Sequence, residues 1–349
     1  MRDSILYSAI RALVVAFCVV IGLGLGFVFI SVFISTLSSS GTEGNLTTFN
    51  TEEILPNAEG ERKALTSQSP VILQIDINGE IGMGVGGVDE KSIRQQLMES
   101  REGSFKGNRV KALLLYIDTP GGTVNDSDGI FRALQEYKKK YQVPIYAYVD
   151  GLCASGGMYI ALAADKIFAN DISLIGSVGV LSPPFMNFSK LLDKIGIDTL
   201  TISAGKDKDA LNPFRPWKPS EEENHRQIVD YYYNHFVEIV TTHRPNISKD
   251  KLVKDYGAHV FPAPQAKEYG FIDFNSVTLA ETLKELLKEI GITTNDYQVI
   301  RLENKGWWKT LLSSQASSLF TGKIQHQISF TPEGDLLLGN EFLYLYRPQ

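Results

Sequence analysis

The apolar positions begin with an unbroken run. From Ala12 to Leu37 (ALVVAFCVVIGLGLGFVFISVFISTL) there is no charged residue. As a helix this run would measure roughly 39 Å at ~1.5 Å per residue, and a bilayer core needs only ~20 residues. Arg2 and Arg11 precede it, whereas Ser38 to Gly60 holds several Glu and no Lys or Arg. The pattern predicts a single transmembrane anchor over 12–37, with residues 1–11 cytoplasmic and the rest of the chain on the non-cytoplasmic side of the membrane. A cleaved signal peptide would have a shorter apolar core, ~7–15 residues, ending in small residues before the cut. Residues 38–68, rich in Ser, Thr, Asn, Gly and Glu, predict a linker.

Short apolar runs then alternate with amphipathic ones. Val71–Ile77 is strand-like and ends at Asn78-Gly79. Ala112–Ile117 is apolar throughout except for Tyr116, as in a strand buried on both faces. Residues 126–141 read as a helix, with Asp126 or Ser127 able to cap it. Pro144–Val149 predicts a strand, 156–164 a helix and Lys166–Ala169 a strand. Residues 187–195 and 220–243 have helical periodicity, and Thr199–Ser203 is strand-like. Strands alternating with helices predict βαβ units and a largely parallel α/β sheet. The folded domain is expected over 69–295, with 296–349 a C-terminal extension. In that extension Leu336–Leu338 and Phe342–Tyr346 flank Gly339-Asn340, a pattern open to a hairpin or a tail.

Composition narrows the chemistry. The 349 residues carry 34 basic and 40 acidic side chains, a net charge of −6. That excludes nucleic acid as the main partner, because phosphate binding demands a basic excess. Two cysteines, Cys18 and Cys153, lie in very different contexts and give no disulfide framework. With five scattered histidines they form no metal-ligand spacing, so neither metal nor other cofactor is expected. Asn45, Asn187 and Asn246 stand in N-x-S/T sequons, which matter only in a eukaryotic secretory compartment.

Three segments hold residues able to do chemistry. Asp118-Thr-Pro-Gly-Gly-Thr123 follows a buried strand and precedes a helix, where paired glycines let backbone N–H groups face a ligand. Asp150-Gly-Leu-Cys-Ala-Ser-Gly-Gly157 occupies a second such junction. It puts Ser155 at a helix N-terminus, where the dipole favours negative charge. There Ser155 is either a nucleophile or a helix cap, and Cys153 is a rival nucleophile or a small buried residue. Ala204-Gly-Lys-Asp-Lys-Asp-Ala210, followed by Asn212-Pro-Phe-Arg-Pro216, is by composition only a polar turn.

Together these segments resemble the S49 peptidase family, the signal peptide peptidase A proteins, in their short single-domain form. The resemblance covers roughly residues 70–275. It rests on D-T-P-G-G at 118–122, A-S-G-G-M-Y-I-A at 154–161, I-G-S-V-G-V at 175–180, G-K-D-K-D-A at 205–210, P-F-R-P at 213–216 and Gln265–Asp273. It implies a crotonase/Clp-protease-like fold of stacked βαβ units and a homo-oligomer with sites completed between subunits. It makes Ser155 the nucleophile, Lys208 the general base with Lys206 a bystander, and Ser177 a serine that positions the lysine. The implied substrates are hydrophobic peptides at the membrane, such as remnant signal peptides.

The chemistry sets conditions of its own. A serine hydroxyl needs a base, and a lysine at its ordinary pKa of ~10.4 is protonated at neutral pH. Lys208 must therefore be desolvated in the assembled enzyme, with Asp207 and Asp209 turned elsewhere, for instance to Lys206 or Arg215. Backbone N–H groups of Gly156 and of Gly121 or Gly122 are expected to receive the oxyanion. Three rival readings remain: a crotonase-type acyl-CoA hydratase or isomerase, a non-catalytic membrane scaffold, and a Ser-His-Asp site using one of His225, His235, His243, His259 or His326.

Overall fold

The computed structural model describes residues 50–66, 68–83, 87–304 and 343–345. The predicted anchor at 12–37 and Cys18 lie outside them, and no described helix is long and apolar enough to cross a membrane.

Nine strands form one mixed sheet. Its elements are β1 (Asn50–Leu55), β2 (Val71–Ile81), α1 (Glu90–Glu99), β3 (Val110–Thr123), α2 (Val124–Tyr141), β4 (Ile145–Ala154), α3 (Gly156–Ala161), β5 (Lys166–Ala169), β6 (Leu174–Gly176), α4 (Ser189–Ile195), α5 (Glu223–His243), β7 (Val260–Pro262), α6 (Ala263–Tyr269), α7 (Leu279–Glu289), β8 (Gln298–Asn304) and β9 (Leu343–Leu345). The order across the sheet is β1-β8-β2-β3-β4-β6-β7, with β5 also on β4 and β9 on β3. The β8, β2, β3, β4, β5 and β6 pairings are parallel; β1, β7 and β9 add antiparallel.

Apolar runs produce this centre because a parallel strand is covered on both faces. Leu73, Ile75, Ile77, Leu113, Leu115, Ile117, Ala147 and Val149 turn to one core, which α2, α3 and α5 complete. Ile72, Leu114, Tyr146, Tyr148 and Phe168 turn to the other, closed by Leu283, Leu286 and Leu287 of α7. Full burial of each such leucine contributes ~1.5–3 kcal/mol. α7 starts with a capping box between Thr278 and Glu281.

The sheet reaches beyond the expected domain on both sides. β1 comes from the segment read as linker and β8 from the segment read as extension, and the two pair along their whole lengths. Arg301 locks β8 in place, with an ion pair to Asp76 of β2 at 2.6 Å and another to Glu53 of β1. Two further expectations are corrected. The α2 cap is Thr123, whose hydroxyl accepts the Asp126 N–H at 3.1 Å, rather than Asp126 or Ser127. Thr199–Ser203 is not a strand: Leu200 and Ile202 are 87% and 89% exposed, and among the described residues no strand pairs with the segment. At the C-terminus, Leu343–Leu345 pairs with β3 while residues 336–338 lie outside the described ones.

Candidate active site

The two glycine-rich segments are continuations of strands rather than free loops. β3 runs straight through Asp118-Thr-Pro-Gly-Gly-Thr123, bulged against β2 between Asn78 and Glu80 and against β4 between Ile117 and Thr119. Gly121 has φ 101°, open to glycine and strained for other residues. Gly122 lies so close to β2 that a Cβ there would stand 1.9 Å from Ile81 O. β4 likewise runs on through Asp150–Ala154 and ends beside Ser155.

Ser155 joins β4 to α3 at φ 54°, ψ −113°. A non-glycine residue held there costs ~1–3 kcal/mol, which surrounding structure must impose. It is imposed here by a hydrogen bond from Ser155 N–H to Gly176 O at 2.9 Å and by the first turn of α3, Tyr159 N–H to Ser155 O at 2.9 Å. The residue is only 1% exposed, and among the described residues its hydroxyl has no hydrogen-bond partner. Ser155 makes no side-chain cap bond to α3, so capping does not explain it. A sharp strand-to-helix turn with a strained serine is the geometry that presents a nucleophile.

The neighbouring groups sort by what they touch. Ser177 follows the Ala154↔Gly176 pair of β4 and β6, which brings it beside Ser155. It too has positive φ, 55°, and its N–H is held by His259 O at 2.7 Å. On the other side, Thr119 pairs with Cys153 and leads to Gly121 and Gly122. The Gly121 N–H donates to Thr119 Oγ1 at 3.0 Å, which occupies one of the three expected oxyanion donors. Cys153 is fully buried, and burial pushes its thiol up to about 12, so no thiolate is present at neutral pH. Asp118 accepts the Leu152 N–H at 2.9 Å and braces the bend of β4.

Lys208 sits apart, on the exposed stretch between α4 and α5. It lines a cleft of about 650 Å³ with Phe185, Leu211, Phe214 and His225. Asp209 is turned from it: Arg215 Nε meets Asp209 Oδ2 at 2.6 Å and Arg215 Nη2 meets Glu221 Oε1 at 2.6 Å. The Arg215 guanidinium holds both carboxyls below their usual range. Among the described residues Lys208 makes no ion pair, and the described contacts do not join it to Ser155 or Ser177. Of the histidines, His235 approaches Asp128 and His243 bonds Ile239 O; none bonds the Ser155 hydroxyl. His326 lies outside the described residues.

The profile of peptidase family S49 matches residues 137–293, a span holding Ser155, Ser177 and Lys208; that of the NfeD1b N-terminal domain matches residues 88–184. A Methanocaldococcus jannaschii protein provisionally named a protease is 35% identical over 202 residues, covering 58% of this chain and 63% of its own length. An Enterococcus faecium protein provisionally named signal peptide peptidase SppA is 31% identical over 259 residues, 73% of this chain and 71% of that protein. Among solved structures, a mutant ClpP1 from Listeria monocytogenes superposes with a TM-score of 0.39 at 16% identity, covering 62% of this chain and 95% of that one. On the sequence likeness, this chain belongs to peptidase family S49 and is a serine peptidase.

Proposed function

We propose that this chain is a membrane-anchored endopeptidase in which Ser155 is the nucleophile and Lys208 the general base, cleaving hydrophobic peptides such as remnant signal peptides. One observation carries the reading: Ser155 is held in a strained elbow with a buried hydroxyl that has no partner among the described residues. Such a group is costly unless it has a use.

Lys208 takes the hydroxyl proton as Ser155 Oγ attacks the scissile carbonyl. The oxyanion is received by the N–H groups of Gly156 and Gly122, with Gly121 engaged by Thr119. The C–N bond breaks, Lys208 returns the proton to the leaving amine, and an acyl ester remains on Ser155. Lys208 then takes a proton from water, whose oxygen attacks the ester; the C–O bond to Ser155 breaks and Lys208 returns that proton to Oγ. Peptides bind as a strand along Gly121–Thr123, in the place that Leu343–Leu345 takes in the single chain; the antiparallel pairing of that strand with those residues supports this.

The base requires a dry lysine, and Lys208 is exposed on the single chain. We attribute its desolvation to a second copy, so that the Lys208 of one subunit serves the Ser155 of another and Ser177 orients it. Exposed Phe185 and Phe214, which line the cleft with the lysine, and exposed Leu200, Ile202 and Trp217 on the same stretch between α4 and α5 support an apolar contact there. The anchor at 12–37 puts the cleft on the non-cytoplasmic face, close to membrane peptides.

The test is cleavage of a fluorogenic hydrophobic peptide by full-length wild type, Ser155→Ala, Lys208→Ala and Lys206→Ala, each checked for assembly. The first two substitutions abolish turnover by at least ~10³-fold, and Lys206→Ala retains it. Activity in Lys208→Ala would assign the base elsewhere; activity in pure Ser155→Ala would end the nucleophile assignment.

A further inference from the structure

Thr119 stands between the two groups the proposed chemistry needs most, the glycine turn and the nucleophile, and it is fully buried. Its hydroxyl donates to Gly79 O at the bulge of β2 and accepts the Gly121 N–H at 3.0 Å. The hydroxyl proton and one lone pair are thereby directed into two different segments. The methyl group faces a third. A Cβ built at Gly157 would lie 2.4 Å from Thr119 Cγ2, so α3 approaches this side chain as closely as glycine allows. Gly157 is two residues after Ser155, and the strand partner of Thr119, Cys153, is two residues before it.

We infer that Thr119 is a positioning residue for acyl transfer. Its hydroxyl fixes the glycine peptides that receive the oxyanion, and its methyl fixes their spacing from the helix end that carries Ser155 and the Gly156 N–H. The inference rests on the peptidase reading of Ser155. Gly121, with φ 101° and no side chain, has weakly determined torsions of its own. Tying its N–H to Thr119 fixes the preceding peptide plane, the pairing of Gly121 and Gly122 with Glu80 and Ile81 of β2 restrains the next one, and the two restraints together set the direction of the Gly122 N–H. Oxyanion donors act only when aimed within hydrogen-bond distance of the developing charge. A loosened turn therefore lowers kcat more than it weakens substrate binding, whereas a residue that only packs would change stability and leave kcat alone.

The experiment uses full-length protein and the same fluorogenic peptide, with kcat, KM, melting temperature and assembly state measured for each variant. Thr119→Val keeps the shape and removes both hydrogen bonds; kcat is expected to fall about 10²-fold. KM should stay within about threefold of wild type, the signature of an interaction made in the transition state. Thr119→Ser keeps the hydroxyl and should hold kcat within about threefold. Gly157→Ala should lower kcat by pushing against the methyl, and Thr119→Ser/Gly157→Ala should recover it, because serine lacks that methyl. Unchanged kcat in Thr119→Val, or a loss in Thr119→Ser as deep as in Thr119→Val, overturns the inference. If Thr119→Val does not fold, a double variant no better than Gly157→Ala overturns it. Ser155→Ala is run alongside: if it is inactive while the Thr119 variants are normal, only this inference falls; if it is active, the peptidase reading falls and this inference with it.

Discussion

Ser155 and Cys153 are two residues apart at the end of one strand, and the backbone treats them differently. Cys153 lies in ordinary strand geometry, fully buried, where its thiol cannot ionise at neutral pH. Ser155 is forced to φ 54°, ψ −113° with an idle hydroxyl. That strain makes a measurable prediction. Both Ser155→Gly and Ser155→Ala remove the buried hydroxyl, but only Ser155→Gly also relaxes the elbow, so it should be more stable than Ser155→Ala by about 1 kcal/mol. Both lose activity, so melting curves of the two inactive variants isolate the backbone term. Equal melting temperatures would mean that the elbow carries no strain. At this scale the strand-to-helix junction made Ser155 a candidate from the residues themselves, whereas Lys208 became one only through the family resemblance, since its segment reads by composition as a polar turn. Thr119 escaped notice because its partners, Gly79, Gly121 and Gly157, come from three segments that only the fold brings together.

Elements were legible where a continuous or helically spaced apolar pattern marks them, even in α4, which buries only Ser189. Lys166–Ala169 has the expected bounds, and α2, α4 and α5 differ from expectation only at their ends. β2, β3 and β4 run longer than their apolar runs, because bulges at Asn78/Glu80 and Ile117/Thr119 carry the pairing through glycines that read as turns. Thr199–Ser203 has strand composition, but composition does not supply a partner strand. The same stretch shows how the lysine is kept from its carboxylate neighbour. Arg215 clasps Asp209 and Glu221 and leaves Lys208 out of the pair. Both carboxyls have lowered pKa values in the folded chain. The clasp therefore contributes fully above their ordinary values of 3.8 and 4.5, and is lost as pH falls through the lowered folded values. Hydrogen exchange of residues 205–221 should be flat from neutral pH down to about pH 5 once corrected for intrinsic rates, and should quicken only in stronger acid. Arg215→Ala should quicken it at neutral pH and lower kcat/KM about tenfold or more, as a misplaced base does. An Arg215→Ala enzyme with unchanged exchange and turnover would mean that the clasp does not order the lysine segment.

For the whole molecule, the decisive fact is a mismatch of burial. Ser155, the proposed nucleophile, is buried with no hydrogen-bond partner among the described residues, whereas Lys208, the proposed base, stands on an exposed, apolar-studded segment of the same chain. A lysine in water stays charged and cannot accept a proton from serine. If a neighbouring copy dries and receives it, subunits defective in different residues should repair one another. Ser155→Ala and Lys208→Ala proteins are each inactive alone under the proposed mechanism. Dissociated, mixed in equal amounts and reassembled, they would bring an intact Ser155 against an intact Lys208 at about a quarter of the sites, the product of two one-in-two chances in a random cyclic assembly. If each chain supplied its own lysine, no mixed site would hold both groups and activity would stay at the background of the parents. Replacing Leu200 and Ile202 with Asp in both parents provides the companion measurement. It should prevent reassembly and remove the recovered activity without unfolding either chain, because both side chains are more than four-fifths exposed. Recovery that survives those charges would move the contact elsewhere on the subunit, and absence of recovery in a mixture shown to have exchanged subunits would return the lysine to its own chain.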